Sequence, residues 1–171
     1  MNLALLALGS NRSPRETFLE HAVDEIQNLG SVTAIASLYE SEPYGEAAQP
    51  QFLNTALALE TELQPRRLLS ELKAIEKRVG RRKSYRWGPR EIDIDIIFFD
   101  DLMITSRMLT IPHVDYHNRA FVLKPLTEMC PDFVCIDTQR TIANMYADCP
   151  NRTSLNLYKA HWMEKKDNAA E

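Results

Sequence analysis

An alternation of isoleucine and aspartate constrains the fold of this chain more than any other stretch. Isoleucines at positions 92, 94 and 96 flank Asp93 and Asp95, and Phe98 continues the pattern. Because successive side chains of a β-strand point to opposite faces, the pattern predicts a strand at 92–99 whose two aspartates face the same way. Two carboxylates at such a short distance raise each other's pKa unless a cation lies between them. Their hard oxygen atoms suit Mg²⁺. The pair predicts a magnesium site, with a solvated acidic edge strand as the alternative.

A loop rich in basic residues and marked by two glycines lies directly before this strand. Its cations are Arg78, Arg81, Arg82, Lys83, Arg86 and Arg90. The whole chain has a formal net charge of -4, so this positive charge is local. Guanidinium groups bind phosphate oxygens in pairs and stay charged at any working pH, so such a loop can hold a polyphosphate whose other side is bound by metal. The alternatives are a solvated basic turn and a nucleic-acid-binding patch.

The composition is typical of a soluble enzyme domain. With 171 residues, of which 44% are hydrophobic, the chain can fill one core but is short for two. We expect a single domain over residues 1–158 and a frayed tail over 159–171. The N-terminus lacks a basic start and a long apolar run, which predicts a cytoplasmic protein. The three cysteines have no zinc-like spacing, so we expect free thiols.

Apolar periodicity and turn residues predict an α+β fold. We expect strands at 2–8, 32–40, 52–60 and 92–99. Between them, Ser13 can cap a first helix with Glu16 returning the bond, and a second helix begins at Pro65 and ends at Gly80. The order βαββαβ is that of the ferredoxin-like fold, an antiparallel sheet with helices on one face.

The rest of the chain is predicted to form a C-terminal decoration of this core. Short strands are expected near 103–104 and 109–110, and a helix at 120–129 whose interior Pro125 predicts a kink or a break. Weaker patterns indicate a strand at 133–136 and a helix at 141–147.

The block Arg-Trp-Gly-Pro-Arg-x-x-Asp-x-Asp closely resembles the signature of the 6-hydroxymethyl-7,8-dihydropterin pyrophosphokinases of the folate pathway. The similarity also covers the segments 8–11, 39–45, 52–54, 111–113 and 118–121 and Glu76, in the family's order. The resemblance implies transfer of pyrophosphate from MgATP to the hydroxymethyl group of 6-hydroxymethyl-7,8-dihydropterin, with release of AMP, in tetrahydrofolate biosynthesis. ATP and the pterin would be the partners of a monomeric enzyme that binds neither nucleic acid nor membrane.

The same resemblance implies roles for individual residues. Asp93 and Asp95 would hold two Mg²⁺ ions, Arg81, Arg90 and Asp95 would act in catalysis, and Arg82 or Lys83 would be the second cation of the loop. The residues expected to bind the pterin are Ser41, Pro43, Tyr44, Phe52, Asn54, Trp87 and Phe121. Those expected to bind ATP are Glu76, Ile96, Thr110, His113 and Arg119.

Three positions depart from the family's pattern. Val114 stands where an aromatic residue is frequent, Met108 replaces a basic residue found in some members, and Phe52 replaces a frequent tyrosine. We expect these changes to tune affinity. Two other classes of function stay open at this point: a catalytically silent paralogue that binds pterin or nucleotide, and a nucleic-acid-binding module, which the acidic balance of the chain disfavours.

Overall fold

A computed structural model describes residues 1–43 and 48–163 of the chain. Tyr44, expected to bind the pterin, lies outside the described residues. The strands are β1 Asn2–Ser10, β2 Ser31–Ile35, β3 Leu38–Ser41, β4 Phe52–Thr61, β5 Asp93–Phe99, β6 Ile104–Thr105, β7 Thr110–Ile111 and β8 Asn156–Lys159. The α-helices are α1 Arg15–Ile26, α2 Pro65–Val79, α3 Ala120–Met129 and α4 Ile142–Ala147.

The main sheet is antiparallel and has the order β5-β1-β4-β3-β8, with β2 also paired to β4. β1 and β4 pair along their full length, from Asn2 opposite Thr61 to Ser10 opposite Leu53. β5 lies along the other side of β1, and β6 and β7 form a separate two-stranded sheet. The predicted ferredoxin-like order of elements is confirmed.

Helices cover both faces of the sheet. Apolar residues of α1 and α2, such as Leu19, Leu68 and Leu72, pack on one face in a first buried cluster. Residues of α3 and α4, such as Leu123 and Ile142, form a second cluster on the other face. The prediction of helices on one face holds for α1 and α2 of the core, and the predicted C-terminal addition after β5 supplies α3 and α4, which cover the second face.

A bulge interrupts the alternation of β5. Leu6 pairs with Ile96 and Leu5 with Phe98, so Ile97 is an extra residue on this strand. Ile97 and Phe98 therefore both pack in the α3 cluster, whereas Ile96 packs in the α2 cluster. The expectation that Phe98 shares a face with the isoleucines is wrong for this reason.

The second predicted strand, 32–40, is divided into β2 and β3. At the break, the Ser37 backbone N–H and hydroxyl donate to Glu128 Oε1 of α3 at 3.1 and 2.7 Å. These bonds replace pairing within the sheet and join it to α3. In contrast, α3 runs without interruption through Pro125, where a kink or a break was predicted.

The two ends of the predicted core also differ from expectation. In the described part of the chain, no side chain caps α1, which begins after Pro14 instead of at a Ser13 cap. The tail is not frayed from residue 159, because β8 pairs with β3 and Trp162 is buried, donating its indole N–H to Ala36 O at 2.9 Å. The expected strand at 133–136 is a single bridge between Val134 and Thr141.

Among the helices that the structure describes, none combines the length and apolar character needed to cross a membrane.

Candidate active site

A cavity of about 250 Å³ opens at the end of the sheet where β1 ends and β4 and β5 begin. Most of the residues expected to bind the pterin or the metal line it. These are Ser41, Pro43, Phe52, Asn54, Trp87, Asp93, Asp95 and Phe121, and they are joined by Arg90, expected to act in catalysis, and Arg119, expected to bind ATP. Aromatic rings, amides and carboxylates thus meet in one space.

A second, basic cleft of about 500 Å³ adjoins this cavity. It is lined by Lys73, Glu76, Lys77, Arg81, Arg82, Lys83, Ser84, Tyr85 and Arg90. Lys73 and Arg90 line both spaces, so they mark the junction. Both candidates for the second loop cation, Arg82 and Lys83, lie in the cleft. A ligand with an aromatic end and a polyphosphate end would fit the two spaces together.

The two aspartates lie at this junction, on the α3 side of β5. The β1 register places Asp93 opposite Gly9 and Asp95 opposite Ala7. Arg90 Nη1 donates to both oxygens of Asp93 at 3.0 and 3.2 Å. Burial, together with the negative charge of Asp93, raises the pKa of Asp95 to about 6. Asp95 therefore carries a negative charge that the protein neutralises incompletely.

Glu76 connects α2, the basic loop and β5. Its side chain is only 3% exposed, and its Oε2 accepts from Arg81 Nη1 at 2.7 Å. Its Oε1 accepts from the Ile94 backbone N–H at 2.9 Å. Burial alone would lower the pKa of Arg81, but the carboxylates of Asp93 and Glu76 outweigh it and raise the pKa. Glu76 therefore holds Arg81 at the mouth of the cleft.

One wall of the cavity depends on close packing around Asn54. Asn54 is buried, and its side-chain amide donates to Ser41 Oγ at 2.8 Å. A Cβ at Gly9 would lie 3.3 Å from Asn54 Oδ1 and 3.5 Å from a ring carbon of Phe52. Glycine at this position therefore lets both side chains sit directly over β1.

Trp87 is held in an unusual backbone conformation at the edge of the cavity. Its φ of 64° lies in the left-handed region, which is unfavourable for a bulky residue. Its ring is 44% exposed and carries the Arg86 guanidinium 5.4 Å from the ring centroid. The side-chain amide of Gln49 donates to the Trp87 carbonyl. The ring is therefore displayed at the entrance rather than packed in the core.

Three residues expected to bind ATP line neither space among those described: Ile96, Thr110 and His113. The Ile96 side chain is buried in the α2 cluster. His113 donates its backbone N–H to Ile97 O at 3.0 Å, and burial and the charge of Arg119 lower its pKa. The structure thus brings the aromatic, amide, carboxylate and arginine residues together in the cavity and the cleft. Ile96, Thr110 and His113 do not line either space.

Sequence reasoning missed four residues of the site: Asn11, Gln49, Lys73 and Glu91. Lys73 lies one helical turn before Glu76, so helical spacing could have found it. Glu91 is buried, binds Arg12 at 2.7 Å and accepts from the Arg82 backbone N–H at 3.4 Å. Glu91 thereby fixes the base of the basic loop, a role that local sequence does not indicate.

The donor set at the junction suits a hard cation with few protein ligands. No group of three or more His, Cys, Asp or Glu residues that could hold a metal occurs within residues 1–43 and 48–163. A cation at Asp93 and Asp95 would therefore take its other ligands from water and phosphate oxygens. Mg²⁺ binds in this way.

Comparisons with known proteins show the family of this chain. Residues 5–131 match the family model described as 7,8-dihydro-6-hydroxymethylpterin-pyrophosphokinase (HPPK). A 2-amino-4-hydroxy-6-hydroxymethyldihydropteridine pyrophosphokinase of Bacillus subtilis is 43% identical over 131 residues, 75% of this chain and 78% of the relative. The enzyme of that name from Haemophilus influenzae is 40% identical over 141 residues, 81% of this chain and 88% of the relative.

Solved structures show the same fold. A Plasmodium falciparum HPPK-DHPS triple mutant matches with a TM-score of 0.70 at 19% identity, over 85% of this chain and 43% of that one. This chain thus spans about two fifths of the length of that larger protein. From the family match and the two close relatives, the chain belongs to the 7,8-dihydro-6-hydroxymethylpterin-pyrophosphokinase family.

Proposed function

We propose that this protein transfers the terminal pyrophosphoryl group of ATP to the hydroxymethyl group of 6-hydroxymethyl-7,8-dihydropterin and releases AMP, a step of tetrahydrofolate biosynthesis. One observation supports the proposal most strongly: an aromatic cavity and an arginine-lined cleft adjoin each other near the Asp93 and Asp95 carboxylates. A pterin in the cavity and a polyphosphate in the cleft would bring their reacting atoms together at this point.

The pterin would lie between the rings of Phe52 and Phe121, with Trp87 over the entrance. Stacking contributes about 0.5–1.5 kcal/mol per aromatic pair beyond area burial. Asn54 and Ser41, which bond to each other at 2.8 Å, offer amide and hydroxyl groups to the polar rim of the ring. In this arrangement the hydroxymethyl group points towards the carboxylate pair.

In the reaction, the hydroxymethyl oxygen forms a bond to the β-phosphorus of ATP and loses its proton. The bond from that phosphorus to the oxygen bridging it to the α-phosphorus breaks, and AMP leaves with the electron pair. Arg81, Arg90 and Lys73 line the cleft around the path of the transferred group. Such transfers depend mostly on positioning and on neutralising charge, which fixed cations supply.

Asp93 and Asp95 would hold the magnesium of the nucleotide, and we propose two ions. The metal would supply charge neutralisation on the phosphates and would lower the pKa of the substrate hydroxyl. The raised pKa of Asp95, about 6, supports this role because burial, and then the charge of Asp93, disfavour the bare carboxylate, and a divalent cation would offset both effects.

The nucleoside end of ATP would extend from the cleft towards Arg119 and the β7 region. We propose that Glu76, Ile96, Thr110, His113 and Arg119 bind it, Ile96 only through its backbone since its side chain is buried. The electrostatic influence of Arg119 and Asp93 on His113 supports their proximity.

A product assay with MgATP and 6-hydroxymethyl-7,8-dihydropterin tests the proposed reaction. AMP formed in step with the pterin pyrophosphate, and abolished by EDTA, is the expected result. ADP would instead indicate ordinary kinase chemistry. Binding of both ligands without turnover would indicate a catalytically silent protein.

We further propose that the enzyme works in the cytoplasm as a monomer. The three described thiols are free, as in a reducing compartment. Sedimentation velocity at micromolar concentration should give a single species near 19.6 kDa.

A further inference from the structure

We propose that Asn11 and Gln49 are positioning residues that couple the pterin cavity to the phosphate-binding loop. Their two side-chain amides form a bridge between the end of β1, the segment 48–51 and the loop residues Trp87 and Arg90. The inference rests on the proposed function, since it assigns the bridge to communication between the two substrates.

Asn11 uses both ends of its amide at once. The residue is fully buried. Its Oδ1 accepts from the Arg90 backbone N–H at 2.7 Å, and its own backbone N–H donates to Arg90 O at 3.1 Å. Its Nδ2 donates to Gln49 Oε1 at 3.0 Å and to Pro50 O at 3.2 Å. One buried side chain therefore fixes two segments that are far apart in sequence.

Gln49 extends the bridge to Trp87. Its Oε1 accepts from Asn11, and its Nε2 donates to the Trp87 carbonyl. Trp87 has the left-handed φ of 64°, a strained conformation that persists only where its surroundings hold it. The Gln49 bond is one such restraint, and Gln49 also lines the cavity.

The bridge joins the residues that would touch each substrate. On the phosphate side, the backbone of Arg90 is fixed by Asn11 while its guanidinium reaches Asp93 at 3.0 Å. On the pterin side, Phe52 follows the bonded segment at 49–50 and Trp87 is held by Gln49. A pterin that settles against Phe52 and Trp87 therefore orders the loop that carries Arg90.

The chemistry of the bridge requires amides. An amide donates and accepts together, whereas a carboxylate only accepts. Asn11→Asp keeps the acceptor for the Arg90 N–H and the shape of the side chain, but loses the donor to Gln49 and Pro50. Gln49→Glu keeps the acceptor for Asn11 and loses the donor to Trp87. Asn11→Asp thus removes the two bonds donated by the Asn11 amide, and Gln49→Glu removes the bond to Trp87, while each variant retains the acceptor of its side chain.

The test measures coupling between two unreactive ligands. Isothermal titration calorimetry gives the affinity for 6-hydroxymethylpterin alone and with saturating magnesium α,β-methylene-ATP, whose bond between the α- and β-phosphorus atoms cannot be cleaved in this way. Coupling free energies between sites correspond to about 5- to 150-fold changes in affinity, so we expect at least about fivefold in the parent protein. We expect less than about twofold in N11D and in Q49E.

Asn2→Asp is the matched control. Asn2 lies at the opposite end of β1, where its side-chain amide donates to Leu63 O at 3.1 Å. N2D removes one amide donor from the same strand without touching the bridge, so its coupling should equal that of the parent. If N11D does not fold because Asn11 is buried, Q49E alone provides the test.

Turnover gives a second readout. We expect kcat in N11D and Q49E to fall by about tenfold or more, and KM for the pterin to rise by no more than the factor of coupling that is lost. Parental coupling in both variants, or ligands that bind the parent independently, would overturn the inference. Because the ligands are unreactive, the coupling result stands whether or not the protein releases AMP, and a failure of the proposed reaction is recognised separately.

Discussion

Arg81 Nη1 lies 3.1 Å from Asp93 Oδ1 while it bonds to Glu76 Oε2 at 2.7 Å. The Arg81 guanidinium, like that of Arg90 at 3.0 Å, would therefore compete with a cation for Asp93 Oδ1. If Mg²⁺ binds Asp93 as we propose, we expect it to displace Arg81 from Oδ1, which leaves the guanidinium available to the phosphates of the nucleotide. On this proposal, Asp93 exchanges Arg81 for the metal ion, and Arg81 exchanges Asp93 for the phosphates.

Removing Arg81 should therefore have opposite effects on metal binding and on chemistry. In Arg81→Gln, Mn²⁺ should bind the nucleotide-free protein up to about fivefold more tightly, because a partly exposed ion pair of up to about 1 kcal/mol no longer competes. The single-turnover rate should fall by about 10²–10³-fold through loss of a charged donor to the transferred group. Electron paramagnetic resonance titration with Mn²⁺ and rapid quench measure the two effects.

Arg78→Gln serves as the control for this experiment. Arg78 pairs with Glu25 on α1 at 2.9 Å and lines neither space. It should leave metal affinity and rate unchanged. Unaltered Mn²⁺ affinity in Arg81→Gln would show that Arg81 does not compete for Asp93.

Asp95→Ala should abolish the chemical step while leaving the pterin site intact. We expect the single-turnover rate to fall by about 10³-fold or more, and the Kd for 6-hydroxymethylpterin to change by less than about threefold, because the role we propose for Asp95 is to bind metal and not the ring. Asp101→Ala, at an exposed carboxylate just after β5, is the control. Equal losses of pterin affinity and rate would contradict the assignment.

The raised pKa of Asp95 predicts how metal binding varies with pH. An unfolded carboxyl of this type ionises at 3.8, but burial and the charge of Asp93 move the pKa of Asp95 to about 6 in the folded protein. Between these values only the folded state keeps the proton, so this group's contribution to stability falls as pH rises through the window. Metal needs the carboxylate, so below pH 6 its affinity should fall by up to about tenfold per pH unit.

Calorimetry in two buffers of different ionisation enthalpy measures the proton released as metal binds. Near pH 6 the parent protein should release a fraction of a proton per metal bound at Asp95. Asp95→Asn should remove that release. Identical proton release in the two proteins would assign the titration to another group.

The sequence predicts well what its local periodicity encodes. The order of strands and helices and the pairing of Asp93 with Asp95 on one face follow from alternation and turn residues within short windows. The bulge at Ile97 and the break at Ser37 could not be predicted in this way. Ser37 leaves the sheet because Glu128, distant in sequence, accepts both of its donors. Such partners are set by the packing of whole layers.

In the candidate site, too, some residues could be predicted from local sequence and others could not. Residues of the family's motifs, such as Asn54 and Arg90, could be named from the resemblance, and the structure places them in the cavity. The residues that hold them in position include Asn11 and Gln49, whose side-chain amides bond to partners far along the chain. A buried amide has no sequence pattern of its own, so its role became visible only from contacts.

Gly9→Ala should weaken pterin binding selectively. The new methyl group would lie 3.3 Å from Asn54 Oδ1, so the Asn54 side chain must shift by a few tenths of an ångström, whereas its distance of 3.5 Å from a ring carbon of Phe52 is an ordinary van der Waals contact. We expect about a tenfold higher Kd for 6-hydroxymethylpterin, roughly the 1.4 kcal/mol of one misplaced polar contact. Affinity for the nucleotide alone, measured on the same sample, should not change. A parental Kd for the pterin would mean that the ring does not rest on Asn54 and Phe52.

Lys73→Met should separate the junction of the two spaces from the rest of the basic cleft. Lys73 Nζ lies 3.3 Å from Glu76 Oε1 and lines both the cavity and the cleft, whereas Lys77 lines only the cleft. Because the charge of Lys73 acts to lower the pKa of Asp95, its removal should raise that pKa further. The acid limb of the pH–rate profile should therefore move to higher pH in Lys73→Met and stay in place in Lys77→Met. Nucleotide affinity should fall by about tenfold in the first variant and by less than about threefold in the second, since only Lys73 stands where the transferred phosphates meet the carboxylates. Equal shifts in the two variants would place the phosphates deeper in the cleft, away from Asp95.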